Sequence, residues 1–291
     1  MTEDFGDTTT VGHALAGTVM SGADTLVQVL ADEGVDTIFG YSGGAILPSY
    51  DAVFRYNQLN ANGDGQAPMP LIVPANEQGA AFMAAGYARA SGKVGVALVT
   101  SGPGATNTVT PVRDCMADSI PIVVICGQVP TGAIGTDGFQ EAPVANIMGA
   151  AAKHVFLVTD PEKLEATVRT AFEIARTGRP GPVVIDIPKD VQNWEGPFQG
   201  TGKLPVRGYR QRMHAVAANR LSKLQCVRFF DMLRESRRPL IYAGGGVING
   251  AAAEPLRRLA ERYQIPVVTT LMGLGAIDTT HPLSLHMLGR H

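Results

Sequence analysis

Short apolar runs that alternate with helical patterns constrain this 291-residue chain more than any other feature. The runs TIFG (37–40), LIV (71–73), VGVALV (94–99), PIVVIC (121–126), HVFLV (154–158) and PVVIDI (182–187) have the length and β-rich composition of strands. Between them lie GADTLVQVLADEG, AILPSYDAVFRY, EQGAAFMAAGYAR, GATNTVTPVRDCM and PEKLEATVRTAFEIARTG, each read as helix. Strands apolar on both sides predict a doubly wound parallel sheet, an α/β fold with helices on either face. Ligands of such sheets gather at the loops leaving the strand C-termini. The polar stretch NQLNANGDGQAPMP (57–70) reads as a surface loop.

After about Gln192 the pattern dissolves into Gly, Pro, Trp and Arg. It resumes with a helix near 214–235, a strand PLIYAG (239–244), a helical GGVINGAAAEPLRRLAERY and a strand IPVVTT (265–270). The expected organisation is a loose tail (1–20), a first domain (21–191), a linker (192–213) and an incomplete second α/β domain (214–291). With two strands only, that second domain should leave VVTTLMGLG (267–275) on an uncovered sheet edge, and 215–291 should be the more protease-sensitive part.

Composition limits the partners. Hydrophobic residues make up 45%, charged residues 17%, and the net charge is −2, which argues against nucleic acid or an anionic membrane. A local run of ten Lys or Arg over 203–238, against Asp231 and Glu235, reads as a solvated face. Cys115, Cys126 and Cys226 show no CxxC and no paired framework. The acidic start MTEDFGDTTT lacks the basic and apolar regions of a signal peptide, and no apolar run reaches 18 residues. A cytoplasmic location is expected.

Several motifs invite chemistry without announcing it. In VPANEQGAAFMAAGYARASGK (73–93), Asn76 is a natural N-cap, Ser91-Gly92 a natural stop, and the helix between reads as buried all round. The lone carboxylate Glu77 at its start is either a partner of the helix dipole or a functional group. YSGGAILPSYDA (41–52) places Gly43-Gly44 where backbone can approach a ligand, though taken by itself the motif reads first as a tight strand–helix turn. TSGPGATN (100–107) is a broken dinucleotide fingerprint, with Pro103 interrupting it and Asn107 in place of the third glycine. The Gly-rich ICGQVPTGAIGTDGFQEAP (125–143) has the length of a functional loop. His281, His286 and His291 recur at five-residue steps, which suits no metal site. With no GxSxG, HExxH, Walker loop or CxxC pair, the reaction is expected to reside in a cofactor.

Nine motifs in order carry a resemblance: FGYSGGAILPSYDA, NEQGAAFMAAGYAR, TSGPGATN, DSIPIVVICGQVP, IGTDGFQEAP, GRPGPVVIDIPKD, YAGGG, TTLMGLG and LSLHMLG. From about residue 21 to 291 the chain closely resembles the acetolactate synthase (acetohydroxyacid synthase) large-subunit family of thiamine-diphosphate enzymes. The resemblance implies decarboxylation of pyruvate and transfer of the two-carbon unit to a second 2-keto acid, in branched-chain amino acid biosynthesis. It implies that Glu77 hydrogen-bonds the aminopyrimidine ring and favours its imino tautomer, and that Gly43 and Gly44 pack against that ring. Phe139 and Gln140 would line the active site, and Lys153 and Lys189 the substrate channel. Ser119, Arg179, Gly244, Gly245, Gly246, Thr270 and Leu271, with the end Leu288, Gly289 and His291, are implied contacts to a structural FAD.

The same resemblance implies a homodimer or homotetramer with active sites shared between subunits, and a small regulatory subunit. In the family Mg²⁺ and the diphosphate are held by a GDG…N motif in a third domain. NGDGQ (62–66) contains GDG but precedes a strand and lacks the downstream Asn, so no metal ligand is assigned and the chain is expected to be inactive alone. Four positions depart from the family pattern: Ser42 for Pro, Asn76 for His, Gly132 for Arg and Gly138 for Ala. Pyruvate oxidase, glyoxylate carboligase, sulfoacetaldehyde acetyltransferase and a non-catalytic assembly module are the alternatives. IGTDGFQE and TTLMGLG favour the synthase.

Overall fold

The computed structural model describes residues 12–61 and 66–289. The GDG triplet, His291 and most of the expected tail lie outside those residues. The chain divides into two compact units, between Met213 and His214.

In chain order the first unit holds β1 (Val19–Ser21), α1 (Gly22–Asp32), β2 (Ile38–Tyr41), α2 (Leu47–Asn60), β3 (Leu71–Ile72), α3 (Glu77–Ser91) and β4 (Gly95–Val99). Then come α4 (Pro103–Thr106), α5 (Val109–Asp118), β5 (Ile122–Gln128), α6 (Val144–Gly149), β6 (His154–Leu157) and α7 (Leu164–Arg176). It closes with β7 (Val183–Pro188), α8 (Lys189–Asn193), β8 (Glu195–Pro197) and α9 (Tyr209–Ala218), the last running across the division. Six strands form one wholly parallel sheet in the order β3-β2-β4-β5-β7-β6. The doubly wound α/β fold expected from the apolar runs is therefore present.

Alternation along the strands divides the core. Val96 and Leu98 of β4, Val123 and Ile125 of β5, and Val183, Ile185 and Ile187 of β7 join Leu26 and Leu30 of α1, Val53 of α2 and Phe172 of α7. All are nearly or fully inaccessible, and each side chain of this size contributes about 1.5–3 kcal/mol by burial. The other face receives α3 at close range. A Cβ at Gly95 would lie 2.1 Å from the Ala84 carbonyl oxygen, so helix and strand meet backbone to backbone. Ala80, Ala81, Ala84, Ala85 and Ala88 make that approach sterically open. The expectation of a helix buried all round holds only for this side, since Phe82 and Met83 are exposed.

The ends of α3 follow from their capping residues. Asn76 accepts a hydrogen bond from the Gly79 N–H at 2.7 Å, and Gly92 closes the helix in the left-handed region at φ 73°. Two expectations change at the margins of this unit. Residues 12–20 belong to the expected tail, yet β1 pairs antiparallel with β8, and His13 Nε2 meets Asp32 at 3.2 Å. The segment 192–213 is the expected linker, yet Phe198 is fully buried, and Tyr209 joins the core. Its Gly and Pro residues make bends on a surface rather than a free connection.

The second unit contains α10 (Lys223–Glu235), β9 (Ile241–Ala243), α11 (Gly245–Asn249), α12 (Ala253–Tyr263), β10 (Val267–Thr269) and β11 (Ser284–Met287). Its parallel sheet has three strands in the order β11-β10-β9, not two. The apolar 267–269 segment is consequently the central strand, and Val267 and Val268 are buried instead of lying on an open edge. β11 escaped notice because SLHM mixes polar and apolar residues at partial exposure. Among the described residues no helix is long and apolar enough to cross a membrane.

Candidate functional site

The loops that leave β2, β4, β5 and β7 converge at one edge of the six-strand sheet, and Glu77 opens α3 there after β3. Its side chain is only 9% exposed. Glu77 Oε2 accepts a hydrogen bond from Asn107 Nδ2 at 2.9 Å. A Cβ at Gly104 would stand 3.5 Å from Glu77 Oε1, so the second oxygen borders a glycine. Buried Tyr50 donates from its hydroxyl to the Leu98 carbonyl at 3.1 Å. Burial, and then the Glu77 charge, raise the phenol well above its usual range, which keeps it neutral.

Thr100 follows β4 in the same recess. Its Oγ1 is buried and has no hydrogen-bond partner among the described residues. Gly43 and Gly104 both press on this threonine, where any Cβ would come within 2.6 Å of its side-chain atoms. Gly44 has open space around its missing side chain. The Gly43-Gly44 loop is fixed from behind by Gln192, a fully buried amide that donates to the Ala45 and Ile187 carbonyls at 2.8 and 3.0 Å. Ser49 in turn donates to Gln192 Oε1 at 2.8 Å.

The loop 129–143 closes over this edge. Gly102, at φ +54°, lies directly against the Gln140 backbone, so any side chain there would collide with it. Phe139 is 89% exposed beside it. Gln128 anchors the loop's return, donating to the Ala142 carbonyl at 3.0 Å and to Asp186 Oδ2 at 2.9 Å. Asp186 is 1% exposed, and its Oδ1 is without a partner among the described residues. Burial pushes its carboxyl from 3.8 to about 7, against the lowering effect of the Gln128 bond.

That shift has a definite sign. Between about pH 4 and 7 the folded chain keeps a proton that the unfolded chain has released, so stability falls as pH rises through this window and levels off above it. Asp186→Asn should remove that slope, which urea unfolding at pH 5, 6, 7 and 8 would show. Parallel pH profiles for the two proteins would place the proton elsewhere.

The remaining expected site residues separate. Lys189 begins α8 after β7, at the same sheet edge as Glu77. Lys153 precedes β6 at the opposite edge, where its ammonium donates to the Ile174 carbonyl and, at 2.7 Å, to the Thr177 carbonyl. It closes the end of α7, and burial lowers its pKa to about 8. The structure does not bring it to the loops around Glu77. Ser119 and Arg179 also lie at that opposite edge. Arg179 Nε donates to Ser119 Oγ at 2.7 Å, and its Nη2 caps α5 through the Met116 and Ala117 carbonyls at 3.0 and 2.8 Å.

Within the second unit, Gly244, Gly245 and Gly246 follow β9, and Thr270 and Leu271 follow β10 at the same sheet edge. Gly245 abuts Met272, Thr270 Oγ1 accepts from the Gly273 N–H at 3.1 Å, and Leu271 and Leu288 are exposed. Gly289 stands at φ +89°. Neighbouring Thr269 Oγ1 is a second buried hydroxyl lacking a partner among the described residues. Sequence reasoning passed over Asn107, Thr100 and Gln192. The signal for the first two lay in TSGPGATN, whose polar side chains carry no role in the motif reading.

Comparison with known families decides the class. The model for the thiamine pyrophosphate enzyme, N-terminal TPP binding domain, matches residues 20–149, and that for the central domain of the same enzymes matches 227–291. The chain belongs to the thiamine pyrophosphate enzymes. It is 45% identical over 275 residues to the mitochondrial acetolactate synthase catalytic subunit of Saccharomyces cerevisiae, covering 94% of this chain and 38% of that protein. A probable acetolactate synthase large subunit of Methanocaldococcus jannaschii is 45% identical over 94% of this chain and 44% of its own length. For the large subunit of Corynebacterium glutamicum the figures are 43%, 96% and 42%. The chain thus spans less than half the length of these relatives.

The residues around Glu77 fit the pyrimidine end of thiamine diphosphate. A buried carboxylate, a partnerless buried hydroxyl and a cradle of glycines whose side chains would fill it are what a flat, polar ring needs. Among the described residues no group of three or more His, Cys, Asp or Glu is placed to hold a metal ion.

Proposed function

We propose that this chain carries the pyrimidine-binding part of an acetolactate synthase active site, with Glu77 as its catalytic residue. The observation that supports the reading most is the buried Glu77, held by Asn107 among glycines at a parallel-sheet edge. Gly43 and Gly44 would let the ring approach, and Thr100 and Asn107 would fix its polar atoms and the carboxylate. In a water-poor recess Glu77 can share a proton with a ring nitrogen, because neither partner is well solvated as an ion. Thiamine diphosphate, when bound, supplies the electron sink that cleavage of a 2-keto acid requires.

The substrates of this reading are pyruvate and a second 2-keto acid, and the product serves branched-chain amino acid biosynthesis. Phe139, Gln140 and Lys189 would face the keto acids. The wider reading adds Mg²⁺, structural FAD at the glycines of the second unit, shared sites in a homodimer or homotetramer, a small regulatory subunit and a cytoplasmic location. Its domain plan is a pyrimidine-binding domain followed by a FAD-type domain.

The protein carrying this chain, supplied with thiamine diphosphate, Mg²⁺ and FAD, should convert pyruvate to acetolactate and CO₂, followed by NMR. Decarboxylation that ends in another product would move the assignment to a sibling enzyme of the family.

A further inference from the structure

Glu141 takes no part in the recess, yet its carboxylate shapes the loop that covers it. Oε1 accepts from the Gly135 N–H, and Oε2 accepts from the Gly138 N–H at 3.1 Å. Its own N–H donates to the Gly138 carbonyl at 2.9 Å, which closes the turn. Within this turn Asp137 and Gln140 both stand in the left-handed region, at φ 55° and 57°, which non-glycine residues seldom adopt. Something must hold them there, and the carboxylate is the group that bonds both limbs of the turn. Hydrogen bonds from Gly135 first, and then from Gly138, Thr136 and Asp137, keep its pKa below the usual carboxylate range. Gly102, against the Gln140 backbone, and Gln128, bonded to the Ala142 carbonyl, seat the return limb of the same turn.

We propose that Glu141 is a positioning residue that holds the 133–141 turn in shape and so presents Phe139 and Gln140 to the keto acid. The inference rests on the acetolactate synthase reading and deepens it. Two backbone donors use two different oxygens, so one amide oxygen replaces half the arrangement and a methyl group none of it. The effect therefore grades from Glu141→Gln to Glu141→Ala. It falls on keto acid binding, because Glu77, Asn107 and Thr100 belong to other elements.

The test measures the protein carrying this chain, in unsubstituted, Glu141→Gln and Glu141→Ala forms. In Glu141→Ala the KM for pyruvate should rise roughly ten- to a hundredfold, the scale of a misplaced substrate-orienting group. Glu141→Gln should fall between, and the Kd for thiamine diphosphate should stay within about twofold of the unsubstituted value. A merely structural role would lower the active fraction and leave KM alone. An unchanged KM in Glu141→Ala overturns the assignment. If the unsubstituted protein consumes no pyruvate, the functional reading falls instead, and amide exchange judges the turn. Gly135 and Gly138 amides protected in the unsubstituted protein but open in Glu141→Ala uphold the shaping role, and equal exchange overturns it.

Discussion

Glu77→Gln is expected to lower turnover of the thiamine-diphosphate-dependent reaction by roughly 10²–10⁴, the range lost with one acid–base group. The exchange is nearly isosteric, and an amide oxygen at the Oε2 position still accepts from Asn107 Nδ2. The fold and the recess should therefore persist, with an unchanged circular dichroism spectrum. What disappears is the group able to give and take a proton at a ring nitrogen. Hydrogen–deuterium exchange at the C2 carbon of bound cofactor should slow alongside kcat, while cofactor affinity changes far less. Unchanged turnover and exchange would leave Glu77 as the partner of the α3 dipole, a contribution of about 0.3–1 kcal/mol.

Gly127→Val should be the most damaging of the loop-distal substitutions. Gly127 lies in β5, and a Cβ there would sit 2.7 Å from the Ala45 carbonyl carbon and oxygen and 2.9 Å from the Ile46 nitrogen. Those are backbone atoms of the chain leaving Gly43-Gly44, tied from behind by Gln192, so they cannot give way cheaply. Overpacking of this kind costs roughly 1–3 kcal/mol. It also displaces the glycine loop, so thiamine diphosphate should bind at least about tenfold more weakly, a loss of about 1.4 kcal/mol. Gly132→Val is the control, since nothing lies within 4 Å of that position. Urea midpoints and cofactor titrations that fail to separate the two variants would refute this account of the loop.

The sheet was legible in the chain because each of its strands is nearly continuous in apolar residues, a pattern that parallel, two-face-buried strands require. β11 was not, since at an edge position SLHM needs no such purity. Glu77 was legible as an oddity, a charge at the head of an alanine helix. Its partner was not. Asn107 lies thirty positions away in sequence, and only the return of the chain through α3 and β4 brings the two helix ends together. Lys153 shows the converse failure. The family resemblance implied a channel lysine, whereas its place before a strand assigns it to the far edge, on the α7 carbonyls. The margins misled for a related reason. Gly and Pro in 192–213 mark bends equally well in a linker and in a segment wrapped on a domain.

The contact of α3 with β4 through alanines and Gly95 has a consequence for how such a protein can diverge. Where two backbones rest on each other, their separation is set by atoms that no substitution can lengthen or shorten. Residues on the inner side are confined to Gly and Ala, and the helix axis becomes a fixed ruler from the sheet to Glu77. The outer side, with exposed Phe82 and Met83, is released from that duty. Mutations can accumulate there, and new neighbours can be acquired, without moving the carboxylate. One short helix thus separates an invariant register from a surface open to evolutionary drift.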